Sequence, residues 1–70
     1  MESFGNRLKE LRKARHIKQV EMAAMLECTD RHYQRLEYGY VNVPSLTVIK
    51  LADFFDVTAD YLLGRTDKPN

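Results

Sequence analysis

Arg31, Gln34 and Arg35 are the side chains in this sequence best suited to recognition chemistry. Laid on a helix at about 100° per residue from Asp30, Tyr33 falls near 300° and Leu36 near 240°. The buried direction of that helix is therefore about 270°. Opposite it, around 90°, lie Gln34 (about 40°), Tyr38 (about 80°), Arg31 (about 100°) and Arg35 (about 140°). Arginine matches the O6/N7 edge of guanine bidentately, and glutamine matches the N6/N7 edge of adenine. Asp30, beside this face, partners the helix dipole as a first-turn carboxylate or accepts from a cytosine amino group. The plainer alternative is a solvated polar face. His32, at about 200°, is expected on the half-buried rim.

No other chemistry competes with that face. There is no paired-carboxylate pocket, metal-spaced His/Cys set, phosphate-cradling glycine loop or Ser/His/Asp arrangement. The expectation is no enzyme, no cofactor, no metal and no small-molecule ligand. His16 has no metal-compatible neighbour. Cys28, the sole cysteine, cannot make an intramolecular disulfide and is expected to pack as a small hydrophobe. The start of the chain lacks a signal pattern, and no apolar run approaches the ~20 residues that span a bilayer. A cytoplasmic location without a membrane partner is the expectation.

The elements that must position the face are helices. Seventy residues hold one domain at most, and 44% apolar content excludes a disordered tail. Periodicity predicts a first helix over about Phe4–Arg15, N-capped by Ser3, with Phe4, Leu8 and Leu11 inward. A second spans about Gln19–Leu26 and a third Asp30–Tyr38, capped by Thr29 and stopped by Gly39. The short link Glu27–Thr29 makes these two a helix-turn-helix. A fourth runs Ser45–Phe55 with Pro44 at its start, and a fifth Ala59–Leu63 between Thr58 and Gly64. Residues 1–64 form the domain, and 65–70 read as a polar tail or the start of a linker.

Charge is unevenly placed. The formal net charge is +1, which excludes a polycation that coats nucleic acid. Yet Arg7, Lys9, Arg12, Lys13, Arg15 and Lys18 face only Glu10 between Phe4 and Lys18. That stretch is expected to be a phosphate-facing strip, the plainer alternative being a solubilising surface.

The segments Leu8-Lys9-Glu10-Leu11-Arg12, Gln19-Val20-Glu21-Met22-Ala23, Leu36-Glu37-Tyr38-Gly39 and Leu51-Ala52-Asp53-Phe54-Phe55-Asp56-Val57-Thr58-Ala59-Asp60-Tyr61-Leu62-Leu63-Gly64 occur in a distinctive order. Together they resemble the Cro/cI-type (XRE) helix-turn-helix family of phage and bacterial repressors. The resemblance implies an all-α, compact five-helix, lambda-repressor-like DNA-binding domain whose third helix enters the major groove. It implies base reading by Arg31, Gln34, Arg35 and Asp30. It implies phosphate contacts from Gln19, Lys18, Arg12, Tyr38 and Asn42, and an Arg12–Glu37 ion pair joining the first helix to the third. The expected partners are double-stranded DNA and a second copy of the chain, meeting through Val57, Tyr61, Leu62 and the Tyr40–Val43 loop. Otherwise the last helix simply closes the core.

The sequence departs from the family pattern at three places. Lys18 stands where a serine or threonine commonly caps the second helix. Glu27 stands where glycine is common, so a left-handed turn there costs ~1–2 kcal/mol. Pro44 lies one residue later than usual after Gly39. The expected function is a sequence-specific transcriptional repressor. The alternative is a protein-interaction module, antitoxin- or antirepressor-like, suggested by the low net charge and by Tyr38, Tyr40, Val41 and Val43.

Overall fold

Each helix of this chain ends in the same left-handed turn, and that turn aims the next segment. The computed structural model describes residues 1–70 and contains α1 (Glu2–Ala14), α2 (Gln19–Met25), α3 (Asp30–Tyr38), α4 (Ser45–Phe55) and α5 (Ala59–Leu62). After α1, His16 N–H donates to the Lys13 carbonyl and Ile17 N–H to that of Arg12. The paired bonds recur at Glu27 and Cys28 after α2, Gly39 and Tyr40 after α3, Asp56 and Val57 after α4, and Gly64 and Arg65 after α5. This is the Schellman ending, which satisfies helix carbonyls that otherwise lack partners.

Only two of the five turning residues are glycines. Gly39 and Gly64 have φ 78°, while His16, Glu27 and Asp56 hold φ of 57°, 57° and 56°. The left-handed conformation costs a non-glycine residue ~1–2 kcal/mol. Glycine avoids that cost but adds ~0.5–1 kcal/mol of unfolded-chain entropy. Glu27→Gly is therefore expected to stabilise the domain by about 0.5–1 kcal/mol. The check is a higher urea midpoint with an unchanged slope; an equal or lower midpoint would mean that the Glu27 turn is unstrained.

Helix starts follow the sequence in part. Thr29 Oγ1 accepts from His32 N–H and Thr58 Oγ1 from Tyr61 N–H, both at 3.1 Å. Lys18 offers no side-chain cap to α2. Instead Glu21 reaches back to accept from the Lys18 N–H at 2.9 Å, which is half of a capping box. α1 corrects the expectation: it begins at Glu2, with the Met1 carbonyl accepting from Gly5 N–H, so Ser3 is an interior residue and not the cap. Ser3 instead packs on Gly64, where an added Cβ would come within 2.8 Å of Ser3 Cβ. α2 stops one residue early at Met25 and α5 at Leu62, each because the turn takes the next residue as its cap.

The core is one cluster to which every helix contributes: Phe4 and Leu8 from α1, Met22 and Ala23 from α2, Tyr33 and Leu36 from α3, four residues of α4, and Leu62 from α5. Cys28 is half-buried and packs against it. Burial pushes its thiol pKa up, as does the nearby Asp30 carboxylate. Leu62 is fully buried. It closes the core and is unavailable to a partner, which corrects its expected place on a dimer surface. No helix is long and apolar enough to cross a membrane.

α1 and α3 approach most closely. Gly5 lies against the backbone of Leu36 and Glu37, leaving no room for a side chain. At the same end of α3, the Met1 ammonium donates to the Gly39 carbonyl at 3.4 Å. α1 thus braces the back and the C-terminal end of α3. Beyond Gly64 the chain turns back on the helices: Thr58 N–H donates to the Pro69 carbonyl (2.8 Å), and Arg7 donates to the Thr66 carbonyl (3.0 Å).

Candidate nucleic-acid interface

α3 presents two unlike edges. Tyr33, Leu36 and Glu37 are buried, whereas Asp30, Arg31, Arg35 and Tyr38 are exposed. Gln34 is half-buried at the margin of that outer face. His32 is exposed rather than half-buried, a correction to its expected place on the rim. It borders a hollow of about 100 Å³ between the start of α3 and Pro44 and Thr47, and that hollow leaves its ring open. The outer face carries two cations and one first-turn carboxylate, and neither arginine makes an ion pair. Guanidiniums left free at the middle of an exposed helix face can make bidentate bonds to planar acceptors.

The inner edge of α3 is held by a buried polar cluster. Arg12 Nε donates to Glu37 Oε2 at 2.6 Å and Nη2 to Glu37 Oε1 at 3.2 Å, while Nη1 donates to the Ile17 carbonyl at 2.9 Å. Gln19 Nε2 adds a bond to Glu37 Oε1 at 3.1 Å. Three elements (α1, the first residue of α2 and the last turn of α3) thus meet at one carboxylate. The Tyr33 hydroxyl is buried beside the pair, outside hydrogen-bonding geometry. Burial, with the Glu37 carboxylate next to it, pushes the Tyr33 phenol pKa well above its usual range.

Burial alone would raise the Glu37 pKa, but hydrogen bonds, chiefly from Arg12 and also from Gln19, outweigh it and hold the carboxyl below its ordinary 4.5. Donating that hydrogen bond to Glu37 in turn raises the Arg12 pKa. A carboxyl with a folded pKa below its unfolded one adds stability that is complete above the unfolded value and lost as pH falls through the folded value. Stability is therefore expected to decline with acid from about pH 4.5 downward. Glu37→Gln is expected to flatten that limb. Parallel pH curves for the two proteins would show that other carboxylates carry it.

The basic strip divides on inspection. Arg7 is tied to Thr66 and Asp67 and lies over the Tyr61 ring at 4.2 Å. Arg12 is buried with Glu37. Arg15 caps the C-terminus of α4, donating to the Phe54 and Phe55 carbonyls at 3.0 Å each, where a cation also suits the helix dipole. Three of the six cations are thus hydrogen-bonded within the fold, and of these only Arg12 is buried, which narrows the expected phosphate-facing strip. Lys9, Lys13 and Lys18 remain exposed. Arg12, with all three nitrogens donating to protein acceptors and its side chain 10% exposed, positions α3. Asn42 is exposed on the loop after α3. Gln19 is half-buried and bonded to α3.

Sequence reasoning missed Gly5 and Arg15. A lone glycine within helical periodicity costs ~1 kcal/mol against alanine, so it calls for a packing reason. Arg15 carried a signal too: on the α1 wheel it falls about 20° from Phe4, inside the buried stripe.

Comparison with known proteins places this arrangement among relatives. A family model described as helix-turn-helix matches residues 8–62. The HTH-type transcriptional regulator ImmR of Bacillus subtilis (strain 168) is 34% identical over 65 residues, covering 93% of this chain and 51% of that protein. The SPbeta prophage-derived uncharacterized HTH-type transcriptional regulator YonR of the same organism is 35% identical over 63 residues, covering 90% and 58%. A third relative there, the uncharacterized HTH-type transcriptional regulator YobD, is 33% identical over 67 residues, covering 96% and 60%. The chain therefore spans between half and three-fifths of the length of these curated relatives. No solved structure gives a significant match.

Proposed function

Since the chain belongs to the helix-turn-helix family, we propose that it is a sequence-specific DNA-binding regulator of transcription that acts as a repressor. The observation that carries this reading is the outer face of α3, where Arg31 and Arg35 stand exposed and unpaired while the opposite edge is anchored through Glu37. α3 enters the major groove. Arg31, Arg35 and Gln34 read base edges, and Asp30 accepts from a cytosine amino group. Gln19, Lys18, Tyr38 and Asn42 meet the backbone and fix the register of the helix on the duplex. Arg12 sets the presentation of α3 without touching DNA. Two copies bind a pseudo-palindrome with half-site centres about one helical turn apart.

Selection of bound duplexes from random sequence, followed by titration at several salt concentrations, tests the proposal. A two-fold symmetric site and affinity that falls with salt are expected. Absence of binding at low salt would leave the interaction-module reading in its place. Arg35→Ala and Arg31→Ala are each expected to cost ~1–3 kcal/mol on the selected site and to relax one base preference. Equal losses on selected and random duplexes would show that these arginines contact phosphate only.

A further inference from the structure

Tyr33 is fully buried, and its hydroxyl has no hydrogen-bond partner. Phenylalanine would fill the same space without leaving a buried donor unpaired, so the hydroxyl destabilises the free domain. It lies beside Glu37, whose carboxylate is already supplied with donors. Glu37 Oε1 accepts from Gln19 Nε2 at 3.1 Å and from Arg12 Nη2 at 3.2 Å, which fills its two lone-pair sites. These two donors differ in freedom. Arg12 is buried and also holds the Ile17 carbonyl. Gln19 is half-buried, opens α2 beside the proposed interface, and bonds the rest of the fold through that one side-chain contact. Gln19 is therefore the donor that can leave.

We infer that Tyr33 is a reserve donor for Glu37. When the Gln19 amide turns to a phosphodiester oxygen of the bound duplex, Glu37 Oε1 loses that N–H, and the Tyr33 O–H takes its place. The buried carboxylate then keeps the same number of hydrogen bonds in the free and bound states. Without the hydroxyl, a backbone contact by Gln19 would strip a bond from a buried charge, which is costly where the local dielectric is low. The hydroxyl is unpaired only while Gln19 occupies its acceptor. The exchange rests on the DNA-binding reading and gives that site a positioning residue that never touches the duplex.

Tyr33→Phe, Gln19→Ala and the double variant form two cycles, one on stability and one on DNA affinity. Thermal unfolding without DNA reads the first. Tyr33→Phe alone is expected to melt no lower than the unsubstituted chain, because the hydroxyl is unpaired there. In the Gln19→Ala background the hydroxyl has moved onto Glu37. The same substitution should then lower the midpoint by about 4–8 °C, the size of one ordinary hydrogen bond in a domain of this length. Affinity for the selected duplex shows the reverse pattern. Tyr33→Phe is expected to weaken binding about fivefold when Gln19 is present and not at all when it is alanine. Equal effects of Tyr33→Phe in the two backgrounds, in either cycle, would overturn the exchange. A lower midpoint for Tyr33→Phe alone would also overturn it, since the hydroxyl would then be bonded in the free chain. If the unsubstituted chain binds no duplex, the DNA reading fails and the exchange with it. Additive effects with binding intact overturn the exchange alone.

Discussion

Arg12→Ala is expected to destabilise the domain by about 3–5 kcal/mol, because it leaves a buried carboxylate without its charge partner. A chain of this length has roughly 4–10 kcal/mol of stability in total. The variant is therefore marginal at room temperature and largely unfolded on modest warming. The geometry supports the upper end of the range. Glu37 is 3% exposed, and without Arg12 only Gln19 still donates to it. The Ile17 carbonyl loses its donor as well.

Replacing both charges by apolar groups should cost less, since removing a whole buried pair is often neutral. Arg12→Met/Glu37→Leu is thus expected to melt above Arg12→Ala. Thermal unfolding followed by circular dichroism reads both variants. If the double variant melts no higher than the single one, the packing of the Arg12 stem matters more than the unpaired charge. DNA binding separates stability from presentation. Below its melting point the double variant should bind more weakly than the unsubstituted chain, because α3 has lost its polar anchor to α1 and α2.

Much of this fold is legible in the residues, for identifiable reasons. Apolar spacing and turn residues mark out α3 and α4, with the α4 cap legible to within one residue, since Thr29, Gly39 and Pro44 act locally. Tyr33 and Leu36 are buried on the side where their spacing on the helix puts the core. The α1 start failed because a serine near a helix start is a cap only if the chain before it is extended, and the Met1 carbonyl already accepts from Gly5. The destination of each arginine was hidden for a different reason. Arg7, Arg12 and Arg15 look alike as charges, yet long side chains bury their stems and choose acceptors set by tertiary packing. Charge counting therefore took for free cations three that the fold hydrogen-bonds. The Arg12–Glu37 pair came from family resemblance, since no local rule links residues so far apart in the chain.

Gly5→Ala is the sharper test of that packing, because two effects of opposite sign meet at one position. Alanine is about 1 kcal/mol more favourable than glycine within a helix, so propensity alone predicts stabilisation. The structure predicts the reverse. A Cβ on Gly5 would overlap the Glu37 carbonyl oxygen, approach the Glu37 carbonyl carbon to 2.8 Å and the Leu36 carbonyl oxygen to 2.9 Å. All three are backbone atoms of α3, so no rotamer change relieves the contact. Overpacking costs ~1–3 kcal/mol where side chains can shift, and here whole helices must separate, so a net loss of about 3 kcal/mol is expected. Asn6→Ala, on the exposed neighbouring position, serves as control and should be neutral or slightly stabilising. Equilibrium denaturation of the two variants gives the comparison. If Gly5→Ala is as stable as Asn6→Ala, α1 and α3 do not touch backbone to backbone. If Gly5→Ala folds but is destabilised, the displaced α1 also shifts Arg12, and through Glu37 the angle of α3. Binding to the selected duplex should then fall by more than binding to random DNA, because base contacts tolerate less displacement than phosphate contacts.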